Sequence, residues 1–213
     1  MQYIERTIES LDWVALLLVG SIVIIAILKS LYPNRFEDFI KLPFSSNYFL
    51  LKGKSEEIKH PFSWVLFVVQ LISISLFINL FFIEKGISNL KTFLFIISGV
   101  FGFVIIKYSL EKIIGIVFSI ENITNQYAYQ KLTYRNYLTL FLLIANFIFY
   151  FSVQINNQTL LVFFAILVLI NCVILYYSYK YYRSLLFSNF FYFLLYLCTL
   201  EISPYVVLYK VLV

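Results

Sequence analysis

The sequence predicts an all-α fold, a polytopic membrane helix bundle with six transmembrane helices plus a short interfacial helix in the first cytoplasmic loop. Three observations carry that prediction. Of 213 residues, 62% are apolar and 13% charged, where soluble domains carry about 45–50% apolar and about 25% charged residues. Six apolar runs qualify, or nearly so, at the roughly 20 residues that a helix needs to cross an about 30 Å hydrocarbon core. The longest stretch between them, 33–61, is itself half apolar, so residues 1–213 read as a single transmembrane domain with no soluble domain beside it. The chain holds 24 Phe and 18 Tyr with 12 Lys against 4 Arg, a composition that resembles the product of an AT-rich genome. Aromatic runs therefore carry no functional weight by themselves.

The first span covers about 11–32, with Glu5, Glu9 and Asp12 ahead of it and Lys29 near its far end. That charge order fits a short exported tail; a cleavable signal peptide would open on a basic region. In loop 33–61, Phe36, Phe39 and Ile40 recur at helical spacing while Arg35, Glu37, Asp38 and Lys41 fill the other positions. This is the pattern of a helix lying in the interface. Its surface is expected either to hug the membrane or to dock a cytoplasmic partner or anionic lipid. Pro43 ends it, and a solvated turn at 52–57 precedes His60-Pro61, which opens the second span at 62–83.

The third span, 92–110, continues as an apolar pattern to residue 120 with Lys107, Glu111 and Lys112 interspersed. It is either long and strongly tilted or leaves the membrane to pack along its cytoplasmic surface. Lys107 and Glu111 stand i, i+4 and can pair as an exposed helix-end feature. The fourth span, 138–153, is the short one; it must borrow Tyr134, Tyr137 or Gln154, tilt little, or thin the bilayer. The fifth, 160–178, meets the cytoplasm in a Tyr-rich belt around Lys180 and Arg183, where cations snorkel. The last covers 185–209.

Alternate loops set the orientation. Lys29, Arg35, Lys41, Lys52, Lys54, Lys59, Lys107, Lys112, Lys131, Arg135, Lys180 and Arg183 fall on one side, and Arg6, Lys85, Lys91 and Lys210 on the other. The positive-inside rule then places both termini outside the cytoplasm, and it absorbs most of the +5 net charge. No nucleic-acid partner is expected.

Glu201 is the acidic residue deep in the closing span, three residues before Pro204. A carboxylate there must be paired, neutralised or useful. Pro204 lacks an N–H and frees the Leu200 carbonyl, so a carboxyl and a free acceptor lie one residue apart. At 1.5 Å per residue, Glu201 sits roughly 20 Å above the cytoplasmic edge and Lys107 roughly 7 Å above it, which disfavours a direct pair. Asn79 on span two and Ser98 on span three match the depth of Glu201, with Asn146 and Asn171 nearer the midplane. Glu201 therefore reads either as a neutral carboxyl tying helices together or as a group that binds or relays a proton or cation. His60 is the lone histidine and is expected to be structural; Cys172 and Cys198 read as reduced packing residues. No spacing of His, Cys or carboxylates suits a metal, and no cofactor motif is present.

The closing segment Tyr182-Arg183, Phe187, Asn189-Phe190, Phe193 and then Leu195-Tyr196-Leu197-Cys198-Thr199-Leu200-Glu201-Ile202-Ser203-Pro204 resembles the C-terminal signature of a Bacteroidota integral-membrane family catalogued as a domain of unknown function. Pro33-Asn34-Arg35-Phe36 and Phe44-Ser45-Ser46-Asn47-Tyr48 are similar to that family's first cytoplasmic loop. The resemblance implies a bacterial inner-membrane location.

Six glycines serve the whole chain, and neither an internal repeat nor glycine-broken helices of transporter type are evident. The expectation is a non-enzymatic accessory or assembly subunit of a cell-envelope complex, in contact with lipid and with another membrane or envelope protein. Spans three and six and loop 33–61 would be the contact surfaces, with Arg35, Phe36, Phe39, Lys41, Lys107, Glu111 and Arg183 as candidate contacts. The alternative is a small proton- or cation-coupled transporter using Glu201.

Overall fold

The computed structural model describes residues 12–40, 60–84, 86, 89–117, 121–152 and 156–186. They form six helices: α1 (Asp12–Leu31), α2 (Pro33–Ile40), α3 (Pro61–Glu84), α4 (Leu90–Val117), α5 (Glu121–Phe151) and α6 (Asn157–Leu186). Among the described residues there is no strand. Four helices contain stretches long and apolar enough to cross a membrane: Asp12–Leu31, Pro61–Glu84, Leu90–Ile113 and Ala128–Phe151. A shorter apolar stretch, Asn157–Val173, lies in α6. The sixth expected span, 185–209, falls almost wholly outside the described residues.

α3 is the central helix. It packs against α1, α4, α5 and α6, and 61% of its apolar window is buried, against 17% for α4 and 22% for α1. Its partner seam with α5 follows alternating steps of three and four: Phe62, Leu66, Val69, Ser73, Leu76 and Leu80 are all buried. α5 answers with Tyr129, Thr133, Asn136, Thr139, Leu143, Asn146 and Tyr150, also in steps of three and four, the seam of two helices that run in the same direction, since Tyr129 meets the Phe62 end of α3 and Tyr150 its Asn79 end.

Local chemistry sets the helix ends. Pro33 and Pro61 stand at first helical positions, where a missing N–H costs nothing. His60 caps α3: its Nδ1 accepts from the Phe62 N–H at 3.2 Å, its carbonyl accepts from Ser63 N at 3.1 Å, and its ring meets Tyr32 edge-on at 5.1 Å. The expected structural role of the histidine thus has a geometry. Gly86, at φ 74°, turns the chain out of α3, donating to Ile83 O at 2.9 Å; an L side chain resists that left-handed conformation. Glu84 Oε1 accepts from Asn157 N at 2.9 Å and Asn156 Oδ1 from Gln158 N at 3.2 Å, so the first two orphan donors of α6 are satisfied.

Two sequence expectations change. The fourth span is not short: α5 is helical from Glu121, and its spanning stretch of 24 residues starts at Ala128. Gln130, Thr133 and Asn136 precede the span expected from 138, but with Thr139 they are buried inside the bundle, so they do not end the apolar exterior. The fifth span is helical to Leu186, past the end expected at 178, whereas the third stays helical to Val117 along the apolar pattern expected to continue to 120.

Candidate functional site

The interfacial segment comes first, because its contacts differ from expectation. α2 packs on α1 and α5. Phe36 is 7% exposed and Phe39 1%, and Phe39 stacks edge-on against Phe62 at 6.0 Å and Tyr137 at 5.9 Å. Both phenylalanines therefore close one end of the bundle together with Leu28, Leu66 and Tyr129. They are internal packing residues, not a docking surface. Ile40 and Glu37 remain exposed and Arg35 partly so. Lys41 lies outside the described residues.

At the same end, Glu111 on α4 and Lys131 on α5 form an ion pair, with Nζ 2.6 Å from Oε1 and side chains 8% (Lys) and 11% (Glu) exposed. Glu111 is thus buried and not an exposed helix-end group. Its partner comes from the next helix, because α4 and α5 run side by side and bring residues twenty apart together. Lys107, one turn before Glu111, is half-buried. Arg183 lies on α6, but its side chain is outside the described residues.

The polar centre of the molecule lies higher, along the α3–α5 seam. Asn146 Nδ2 donates to Ser73 O at 2.8 Å and approaches Ser73 Oγ at 3.3 Å. One turn on, the Tyr150 hydroxyl donates to Leu76 O at 2.9 Å and accepts from Asn79 Nδ2 at 3.2 Å. Asn79 and Asn146 are both 0% exposed. Four neutral bonds between two helices at this depth contribute roughly 2 kcal/mol together, taking about 0.6 kcal/mol each for interhelical bonds in a membrane.

Several acceptors in this region are left over. Gln70 Oε1, Ser75 Oγ, Asn79 Oδ1 and Asn146 Oδ1 are buried with no hydrogen-bond partner among the described residues. Every group of the seam is an amide, a hydroxyl or a backbone carbonyl, so it binds by hydrogen bonds and neither holds charge nor supplies a proton-transfer base near neutral pH. Among the described residues there is no group of three His, Cys, Asp or Glu able to hold a metal.

Of the candidate polar site, the structure places Asn79 in this seam. Ser98 lies elsewhere, exposed on α4 with its hydroxyl donating to Phe95 O of its own helix at 2.8 Å. Asn171 likewise returns to its own helix, at Leu167 O, and Cys172 is a free thiol exposed on the bundle surface. Glu201, Pro204 and Cys198 fall outside the described residues. Tyr150 was missed in the sequence reading. The signal was present, since Asn136, Thr139, Asn146 and Tyr150 mark one helical face with steps of three, seven and four, but a Tyr in an aromatic-rich span does not stand out.

A helical bundle with four helices long and apolar enough to cross a membrane and a buried amide–hydroxyl seam is the architecture of a helical membrane protein. The model of the family DUF4271, a domain of unknown function, matches residues 14–212. The chain belongs to that family. No curated protein and no solved structure matches it.

Proposed function

We propose that the chain is a non-enzymatic, multi-pass protein of a Bacteroidota inner membrane, with both termini periplasmic, that serves as an accessory or assembly subunit of a cell-envelope complex. It would offer the outer face of α4 to a helix of a partner membrane protein. The observation that carries this reading is where α4 places its small residues. Phe95, Ser98, Gly99, Gly102 and Ile106 share one face of the helix. Phe95 is 79% exposed and Ile106 61%, and a Cβ added at Gly99 or Gly102 meets nothing within 4 Å among the described residues. Close helix approach in a membrane depends on such small side chains, yet here none of this face is used against α3. The neutral seam supports the non-enzymatic part of the reading.

Purification in mild detergent from native membranes should recover a stoichiometric partner. Gly99→Leu with Gly102→Leu should abolish that recovery while leaving the amount of folded chain unchanged. A lone monomer in every detergent would refute the reading.

A second reading, a small proton- or cation-coupled transporter using Glu201, draws support from the unpaired acceptors around Asn79. Glu201→Gln should then abolish flux in liposomes with folding intact; unaltered flux would dismiss it.

A further inference from the structure

We propose that the α3–α5 seam is a binding site for internal water, with one molecule held between Ser75 Oγ and Asn79 Oδ1 beside Tyr150. The inference is independent of the partner reading above. It starts from the orientation of the amides, which the network itself dictates. Leu76 O and Ser73 O can only accept. The Tyr150 proton therefore goes to Leu76 O, its oxygen is free to accept, and the Asn79 group facing it must be the NH₂. The Asn146 group facing Ser73 O must likewise be its NH₂. Flipping either amide would set oxygen against oxygen, so Asn79 Oδ1 and Asn146 Oδ1 are fixed as unpaired acceptors.

What Asn79 Oδ1 and Asn146 Oδ1 lack is a hydrogen-bond donor. Buried acceptors left unmatched are costly, and native structures satisfy them with protein groups or ordered water. Ser75 and Asn79 stand i, i+4 on α3, which sets their Cβ atoms about 5–6 Å apart. Two hydrogen bonds of about 2.8 Å laid end to end cover that distance. A water there can accept from the Ser75 hydroxyl and donate to Asn79 Oδ1, and the Tyr150 oxygen keeps a second lone pair for its other proton. A cation would also satisfy carbonyl oxygens. Burying one without an opposing charge, however, costs far more than neutral oxygens return, and the seam holds no carboxylate among the described residues, whereas immobilising a water costs little.

The test is X-ray hydroxyl-radical footprinting in ¹⁸O-labelled water, on the full chain in lipid nanodiscs. Leu76 and Leu160 are both 0% exposed, but Leu76 follows Ser75 in the chain and its carbonyl accepts from Tyr150, whereas Leu160 stands in the first turn of α6. Leu76 and Tyr150 should take up label at doses that leave Leu160 and Phe39 unmodified. Ser75→Ala with Asn79→Leu should cut the Leu76 signal several-fold, with helicity and the Leu160 signal unchanged. Leu76 and Tyr150 as silent as Leu160 in the wild-type chain would overturn the proposal, and that comparison stands even if the double variant fails to fold. Loss of the Leu76 signal when sodium replaces choline in the buffer would also overturn it, since a cation would then be the occupant.

Discussion

Tyr150→Phe is the most discriminating single change in this bundle, because it deletes one oxygen and keeps the ring. That oxygen makes two interhelical bonds, accepting from Asn79 Nδ2 at 3.2 Å and donating to Leu76 O at 2.9 Å. Bonds of this kind between membrane helices average about 0.6 kcal/mol and reach about 1.7 kcal/mol. Losing both should cost roughly 1–3 kcal/mol, and the upper part of that range is favoured because Asn79 would then keep no partner among the described residues. Asn79→Leu should cost less, under about 1 kcal/mol, since it removes one bond but also deletes an unpaired buried carbonyl oxygen. The double variant should fall short of the sum by about 0.6 kcal/mol, the value of the shared bond. Reversible unfolding by SDS titration in mixed micelles, followed by circular dichroism, measures all three. The reasoning fails if Asn79→Leu is as costly as Tyr150→Phe, or if the two changes add without coupling.

Breaking the buried Glu111–Lys131 pair should be more costly still. Glu111→Gln leaves a Lys that is 8% exposed without its carboxylate, with an expected loss of about 3 kcal/mol or more. Glu111→Leu with Lys131→Met should recover most of it in the same titration, and a double variant weaker than Glu111→Gln would argue against a desolvation cost. Phe39→Ala should destabilise by about 3–5 kcal/mol, because the ring is 1% exposed and closes the bundle end between Phe62 and Tyr137. Ile40→Ala next to it, at 47% exposure, should change stability by no more than about 0.5 kcal/mol; equal effects at the two positions would mean that α2 is not anchored by its aromatic side.

Much of the fold is legible because apolar length is a local property. The runs at 11–32 and 62–83 coincide with α1 and α3 within a residue, and the alternation of Phe36 and Phe39 with charges yields a helix whichever way its apolar face turns. That direction was not legible. An amphipathic helix at a bundle end can rest on lipid or on its own chain, and Tyr137 and Phe62, distant in sequence, decide it. The start of α5 misled for a related reason. Gln130, Thr133 and Asn136 look like a loop in a linear reading, because polarity marks the aqueous boundary only where side chains face outward, and these face inward.

Asn79 shows the same division within the site. Its depth follows from residue count and rise per residue, so an amide at that level was readable; Ser98 was an equally good match by depth and sits on an outer face instead. Depth is a one-dimensional coordinate that sequence supplies directly. The angular position around each helix, and the neighbour that meets it, depend on how the helices pack.

The sequence by itself determined a helical membrane chain, the approximate span positions and the presence of polar groups at membrane depth, since each follows from composition and from distance along the chain. Tertiary structure alone decided that Glu111 meets Lys131, that α2 folds inward, and that Asn79, Tyr150, Ser73 and Asn146 join into one seam. Those contacts connect residues 20 to 98 positions apart, and the relative rotation of two packed helices sets them, a variable that no local pattern encodes.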